Sequence, residues 1–155
     1  MPTKRFDFAY TETPLVELPT SIQTLAEEAL KSTTLSYAPF SGFHVGCAVL
    51  LDNGEVVVGA NQENASYPCG LCAERVALYN ASTLHPKAQI VALAIAARNG
   101  DSPTEAPVSP CGACRQVLAE YAARQESPIG VVMVGQSRTV WVHDARNLLP
   151  FAFRL

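Results

Sequence analysis

The sequence has no apolar run near the ~18 residues that a bilayer span requires. Nor do residues 1–18 contain the continuous apolar segment of a secretory signal, because charged residues interrupt them. We therefore expect a cytoplasmic protein without a membrane span. Basic residues are also few, since 11 Lys and Arg against 14 Asp and Glu give a formal net charge of -3. This balance offers no basic surface for a phosphate backbone, so we expect a small-molecule substrate and no nucleic acid.

Histidine is scarce and scattered, which limits the metal sites that it could form. The three histidines, His44, His85 and His143, are isolated, and none has the spacing of a metal-binding pair. The five cysteines are more informative. Their odd number, in a chain expected to stay in a reducing compartment, favours metal ligands and core residues over a disulfide framework. Cys47 lies inside an apolar run and is expected to be a core residue.

Hydrophobic periodicity and turn residues predict one α/β domain. The predicted elements are an amphipathic helix from Thr20 to about Ser36, helices at 72–81 and 111–124, a last helical turn at 145–149, and strands at 45–51, 55–60, 89–97, 129–134 and 139–142. The strand-helix-strand order at 89–134 predicts a parallel pair. The expected fold is a three-layer α/β/α sandwich with a mixed central sheet of about five strands. We assign residues 1–20 to an N-terminal extension and residues 21–155 to the single domain.

Two short motifs contain three thiols and one carboxylate. In the first, Cys72 is followed two residues later by Glu74, and in the second a Pro-Cys-x-x-Cys run supplies Cys111 and Cys114. Together they are identified as the signature of zinc deaminases, which use a glutamate that is not a ligand as acid and base. We expect one Zn²⁺ per chain at Cys72, Cys111 and Cys114, where it could activate water, with Glu74 as the catalytic group.

Both motifs begin at predicted helix starts, where the positive end of the helix dipole favours thiolate over thiol. Three thiolates leave Zn²⁺ with a formal charge of -1, which makes a bound water a poorer acid than imidazole ligands would. The two helix N-termini offset part of this charge. Arg75, next to the catalytic glutamate, is the best candidate to hydrogen-bond the sulfurs.

A closed structural zinc site is the main alternative. Cys69 and Cys72, with Cys111 and Cys114, also form two Cys-x-x-Cys knuckles, and four thiolates would leave no position for water. The segment between the knuckles is far longer than the ~15 to 20 residues of a zinc ribbon. A structural zinc site also does not require a carboxylate such as that of Glu74. The open site is therefore favoured, with Cys69 as a free thiol near it.

Four motifs in one order resemble the small homotetrameric cytidine deaminases: YAPFSGFHVG at 37–46, NQENASY at 61–67, CAER at 72–75 and SPCGACRQ at 109–116. The resemblance extends from about Ile22 to Phe153, which makes residues 21–155 the catalytic domain. It implies zinc-dependent hydrolytic deamination of cytidine and deoxycytidine to uridine and deoxyuridine plus ammonia, as in pyrimidine salvage. It also implies a homotetramer with sites completed across interfaces. The absence of a nucleic-acid or membrane partner is expected from the charge and hydropathy described above.

The resemblance also assigns substrate-binding residues. Asn61 and Glu63 would hydrogen-bond the ribose 3′-hydroxyl, and Phe43 would pack against the pyrimidine ring. Without the resemblance, an Asn-x-Glu at a strand end is more often a simple strand terminus, and Phe43 is as readily a core aromatic. A carboxylate and an amide that face a sugar hydroxyl would reject the free base, because losing the sugar leaves them unpaired.

The remaining assignments concern the edges of the site. The backbone N–H of Ala73 would point at the base carbonyl oxygen. Tyr67 and Phe153 match positions that in the family approach an active site across a subunit interface. Without the resemblance, both would be interpreted as ordinary core or surface aromatic residues. Gln116 is placed with Arg75 among the residues around the ligands.

Two other functions stay open at this level. A structural zinc protein would bind metal through all four cysteines of the knuckles and turn over nothing. A deaminase of another cytosine-containing substrate, such as a nucleic-acid editing enzyme, would use the same zinc site. The editing enzyme needs a phosphate-binding groove and a stacking surface, for which this acidic chain gives no sign.

Overall fold

A computed structural model describes residues 1–155 as one mixed β-sheet with helices on both faces. The helices are α1 (Thr20–Ser32), α2 (Ala73–Leu84) and α3 (Gly112–Gln125). The strands are β1 (Tyr10–Thr13), β2 (Phe43–Leu51), β3 (Val56–Ala60), β4 (Ile90–Asn99), β5 (Ser102–Pro103), β6 (Gly130–Val134) and β7 (Thr139–Val142). None of the helices combines the length and the apolar character needed to cross a membrane. The predicted three-layer arrangement with a mixed sheet is confirmed.

The strand order is β1-β7-β6-β4-β2-β3, with β5 paired to the end of β4. The β4 and β6 strands are parallel, with α3 between them in the chain, and every other pair is antiparallel. The predicted parallel pair is therefore confirmed. The predicted hairpin between β2 and β3 also forms, and Gly54 in its turn adopts a φ of 85°, which glycine tolerates best.

The sheet has seven strands rather than the expected five or so. One additional strand, β1, lies in the N-terminal extension and pairs with β7 at the sheet edge. The other, β5, contains two residues and pairs with the end of β4. None of the four residues of β1 is buried, so this strand lacks the apolar alternation by which strands are detected. Both β1 and β5 form through backbone hydrogen bonds to a neighbouring strand. Such bonds do not depend on side chains, so the residue pattern does not predict these two strands.

The two faces of β4 carry side chains of different size. On β4, Leu93 and Ile95 belong to the core that includes residues of α2 and α3, whereas Ala92, Ala94 and Ala96 belong to the core that includes α1. Small side chains on the α1 face let that helix approach the sheet closely, since interiors pack to a uniform density. The larger side chains fill the space under α2 and α3.

Gly46 in β2 is where this approach is closest. A Cβ at this position would lie 2.1 Å from Ala29 O, 2.3 Å from Ser32 Oγ and 2.6 Å from Thr33 N. These atoms belong to the last turns of α1 and the residue after it, and two of them are backbone atoms. No side chain can therefore be accommodated at Gly46 unless α1 moves away from the sheet.

Replacing Gly46 with alanine is expected to lower the free energy of unfolding by about 3 kcal/mol, because the added methyl group overpacks a rigid backbone contact. Gly112→Ala is the matched control, since a Cβ there meets nothing within 4 Å and alanine is favoured over glycine in a helix by up to ~1 kcal/mol. Denaturant unfolding of both variants at equal zinc content measures the difference. A Gly46→Ala protein as stable as the unmodified one would contradict the close packing.

Candidate active site

The helices α2 and α3 begin at the same edge of the sheet because of the direction of the strands before them. Both β3 and β4 pair antiparallel with β2, so they run in the same direction. The chain leaves both strands at one edge and enters α2 and α3 from there. Cys72 is the N-cap of α2, Cys111 is the N-cap of α3, and Cys114 lies in the first turn of α3. The sheet therefore brings the two motifs together.

The three thiols form a compact cluster. The Sγ atoms of Cys72 and Cys111 are 3.7 Å apart, those of Cys111 and Cys114 are 3.4 Å apart, and all three lie within 4.8 Å of one another. Tetrahedral zinc with Zn–S bonds of about 2.3 Å requires sulfurs about 3.8 Å apart. The cluster therefore fits zinc. Cys69 is exposed and outside the cluster, so the structure does not assemble four thiols.

Hydrogen bonds place a negative charge on one of the sulfurs. The pKa of the Cys72 thiol is lowered to about 5, mainly by a hydrogen bond with Cys114 and also by Arg75. Arg75 donates from Nη2 to Cys72 Sγ at 3.9 Å. The same contact with Cys72 raises the pKa of Cys114. Because metal ligands must be deprotonated, a thiolate at Cys72 beside a guanidinium is suited to binding a cation.

Glu74 is a buried carboxylate beside this cluster. It lies in the first turn of α2, two residues after Cys72, and is 4% exposed. Burial is the main reason that its pKa is raised above the usual range of glutamate. The Glu74 carboxylate contacts Cys114 and also lines the cavity beside the thiols.

A cavity of about 720 Å³ opens next to the thiols, and this volume is typical of a small-molecule site. Cys72, Cys111 and Glu74 form part of its wall. Most of the residues that the sequence assigns to substrate binding also line it: Phe43, Asn61, Glu63, Tyr67 and Ala73. The structure therefore places the substrate-binding candidates and the metal-binding candidates around one space.

Asn61 is oriented by the backbone at the start of β2. Its Nδ2 donates to Phe43 O at 2.9 Å, and its Oδ1 accepts from Val45 N at 2.8 Å. A primary amide has two N–H donors and two acceptor positions, so one of each remains free. The protein thus fixes the direction of this amide in the cavity wall without using all of its bonding capacity.

Gln116 and Phe153 do not line the cavity of this chain. Gln116 Nε2 donates to Phe153 O at 2.9 Å, and Phe153 N donates to Gln116 Oε1 at 3.0 Å. Gln116 therefore holds the C-terminal segment on α3, and its place among the residues around the ligands stays a prediction. The Phe153 side chain remains 69% exposed, which leaves it available to a neighbouring molecule.

Sequence reasoning assigns no role to several residues of the cavity wall, among them Phe40, Ser41, Leu71, Val108 and Ser109. Membership of a motif is the only available signal for three of them. Phe40 and Ser41 lie in the 37–46 motif, and Ser109 begins the 109–116 motif. Spacing alone does not show that these residues turn toward the same space.

A model of the family described as the cytidine and deoxycytidylate deaminase zinc-binding region matches residues 19–127. The chain belongs to the cytidine and deoxycytidylate deaminase family. It is therefore a hydrolytic deaminase. The matched region contains all three clustered cysteines and Glu74. The division of the chain into an extension at 1–20 and a catalytic domain stays a prediction.

Several cytidine deaminases resemble the chain over most of its length. The enzyme of Halalkalibacterium halodurans is 40% identical over 131 residues, which cover 84% of this chain and 92% of that protein. The enzyme of Sporosarcina psychrophila is 42% identical over 132 residues, with coverages of 85% and 90%.

Solved structures show the same fold. The crystal structure of cytidine deaminase from Burkholderia pseudomallei matches with a TM-score of 0.70 at 37% identity, covering 84% of this chain and 97% of that one. The crystal structure of cytidine deaminase from Mycobacterium tuberculosis matches with a TM-score of 0.67 at 33% identity, covering 85% and 96%.

The three-thiol cluster predicts about one zinc ion per chain, held without Cys69. We expect Cys69→Ser to retain its zinc through dialysis against a mild chelator. Cys111→Ser should lose most of it, because a hydroxyl is a much weaker zinc ligand than a thiolate. Elemental analysis of the dialysed proteins measures the content. Both replaced residues are exposed, so neither change disturbs the core. Equal loss of zinc from both variants would indicate a closed four-cysteine site.

Proposed function

We propose that the chain deaminates the nucleosides cytidine and deoxycytidine, with water as the second substrate, and so serves pyrimidine salvage. The observation that carries this proposal is one cavity whose wall contains a buried carboxylate, two thiols of a cluster that fits zinc, and two polar side chains suited to a sugar. The net reaction adds water at C4 of the pyrimidine and releases ammonia. It yields uridine or deoxyuridine.

Glu74 would move the protons of this reaction. A zinc ion bound by Cys72, Cys111 and Cys114 would supply a water molecule whose pKa is lowered. Glu74 would accept one proton of this water and deliver it to N3 of the pyrimidine, and it would then take the remaining proton from the hydroxyl group added at C4 and give it to the departing amine. One carboxylate can serve both transfers because it is ionised again after it has delivered the first proton. Its near-complete burial supports this role, since bulk water cannot replace it.

The other residues of the wall would hold the nucleoside. Phe43 would pack against the ring, and the N–H of Ala73, at the start of α2, would donate to the base carbonyl oxygen. Asn61 and Glu63 would bind the 3′-hydroxyl. The free donor and acceptor of the Asn61 amide support this assignment, because a hydroxyl group can both donate to and accept from such a group.

The charges of the cavity favour a nucleoside over a nucleotide. Arg75 is the only basic residue of the wall, and its guanidinium is directed to Cys72. Glu63 and Glu74 add negative charge. A phosphate group in this cavity would find no free cation and would be repelled by two carboxylates. The net charge of -3 likewise disfavours a polynucleotide.

We also propose a cytoplasmic homotetramer whose sites are completed across interfaces. Tyr67, Phe151 and Phe153 are 77%, 98% and 69% exposed in the single chain. Aromatic side chains with so much surface in water commonly mark contact surfaces. Tyr67 lies on the cavity wall, so a neighbouring chain that covers it would also help to close the cavity.

Cytidine and deoxycytidine are expected to be turned over by the zinc-loaded protein at least ~100-fold faster than free cytosine, because the free base leaves the polar groups for the sugar unpaired. Deoxycytidylate and a cytosine-containing oligonucleotide should be similarly poor substrates. Loss of ultraviolet absorbance measures each rate, with zinc content determined on the same preparation. Bound zinc without any turnover would instead favour a structural zinc site, and efficient turnover of deoxycytidylate would contradict the nucleoside assignment.

Glu74→Gln is the control that connects this turnover to the site. It should keep zinc and fold but lower kcat by about 10² to 10⁴, the usual contribution of a general acid and base. Glu120→Gln changes an exposed carboxylate on α3 and should leave kcat unchanged. Near-normal turnover by Glu74→Gln would show that another group moves the protons.

Assembly is expected to be required for full activity, because neighbouring chains would exclude water from the cavity. Specific activity should fall as the protein is diluted through the range in which the tetramer dissociates. Sedimentation velocity and activity measured at the same concentrations test this relation. A monomer with the full activity of the assembled protein would contradict the interface-completed site.

A further inference from the structure

Ser41 links two of the residues that would bind substrate. Its hydroxyl donates a hydrogen bond to Glu63 Oε1, and its own N–H donates to Glu63 Oε2 at 3.2 Å. The same hydroxyl oxygen accepts from Phe43 N at 3.0 Å. Phe40 N adds a further bond to Glu63 Oε2 at 2.8 Å. Ser41 is therefore the one side chain that contacts both the Glu63 carboxylate and the backbone of Phe43.

The bonds from this turn leave Glu63 with little freedom. A carboxylate has about four acceptor positions, and three of those of Glu63 are taken by Phe40 and Ser41. The hydrogen bond from the Ser41 hydroxyl is also the main cause of the lowered pKa of Glu63, which keeps this group ionised and purely an acceptor. The remaining position lies on a side chain of the cavity wall. An acceptor fixed in this way selects a ligand that offers a hydroxyl hydrogen.

We propose that Ser41 is a positioning residue that aims the Glu63 carboxylate at the sugar 3′-hydroxyl, and thereby helps to set the specificity for nucleosides. This proposal rests on the nucleoside function proposed above. Ser41 would not touch the reacting atoms. Its effect would pass through Glu63 and would therefore exist only for substrates that carry a 3′-hydroxyl.

Phe43 N is the one backbone group that loses a bond in Ser41→Ala, and Phe43 is still held by the bond from Asn61 Nδ2 to Phe43 O. Gly42 N donates to Ala38 O at 3.0 Å, and Gly42 adopts a φ of 64°, which glycine favours. Ser41 is exposed, so its replacement leaves no cavity in the core. Ser41→Ala should therefore fold as the unmodified protein does, and its effect on activity can be separated from an effect on stability.

The test compares Ser41→Ala with the unmodified enzyme on cytidine and on 3′-deoxycytidine. On cytidine the KM should rise about 10-fold, as expected for a hydrogen bond to a charged group, while kcat stays within about twofold because the lost contact is made equally before and during reaction. On 3′-deoxycytidine, which lacks the hydroxyl, the two enzymes should have equal kcat/KM. Deoxycytidine keeps the 3′-hydroxyl and should behave as cytidine does.

Two further variants and a binding measurement complete the design. Ser41→Thr keeps the hydroxyl and should restore the KM for cytidine, whereas Ser137→Ala, at an exposed serine between β6 and β7, should change nothing. Calorimetric binding of the product uridine should weaken about 10-fold in Ser41→Ala, with no change for 3′-deoxyuridine. This second readout does not require turnover.

The outcomes separate the two proposals. Suppose that the unmodified enzyme is active. If Ser41→Ala then lowers kcat/KM equally for cytidine and 3′-deoxycytidine, or lowers it for neither, only the proposed role of Ser41 is overturned. An unmodified enzyme that neither turns over any nucleoside nor binds uridine overturns the proposed function, and the role of Ser41 with it. A fall in kcat/KM that is confined to substrates with a 3′-hydroxyl supports both the nucleoside function and the role of Ser41.

Discussion

The convergence of two helix N-termini on one group of sulfurs is the constraint on which the rest of the site depends. Thiolates are favoured at the first turns of α2 and α3, where backbone N–H groups lack partners within the helix. This convergence requires that β3 and β4 run in the same direction and that a helix follows each of them. The shared direction of β3 and β4 therefore determines where the three thiols meet. Glu74 owes its position to the same helix start, since it lies in the first turn of α2.

The opposite face of the sheet contributes by fixing where β2 begins. Close packing of α1 on Gly46 leaves no room for β2 to slide, because the contact is with α1 backbone. Phe43 is the first residue of β2, so the same packing sets the position of an aromatic side chain in the cavity wall. Asn61, which follows β3, joins the two strands through its bonds to Phe43 and Val45. A helix remote from the thiols thus helps to shape the space beside them.

Sequence patterns predict the parts of this protein whose residues carry the signal themselves. The apolar runs of β2 and β4 and the turn before β3 predict their strands, and the two cysteine motifs with Glu74 predict one metal site. The β1 strand could not be predicted, because an edge strand without buried residues is formed by backbone bonding alone. The contact of Gln116 with Phe153 joins residues 37 positions apart through a tail without periodicity. Such contacts depend on the path of the chain in space rather than on residue type.

The polar residues of the cavity share one property that reconciles stability with selectivity. A polar group that is buried and wholly unpaired costs roughly 1 to 3 kcal/mol, so a site built from such groups would weaken the fold. A group whose bonds are all made within the protein costs little but has nothing left for a ligand. Asn61 and Glu63 lie between these limits, because backbone N–H and C=O groups take part of their bonding capacity and fix their direction. The hydrogen-bonding positions that remain therefore cost the free protein little stability and point in a fixed direction toward a ligand. Discrimination by hydrogen bonding requires both properties.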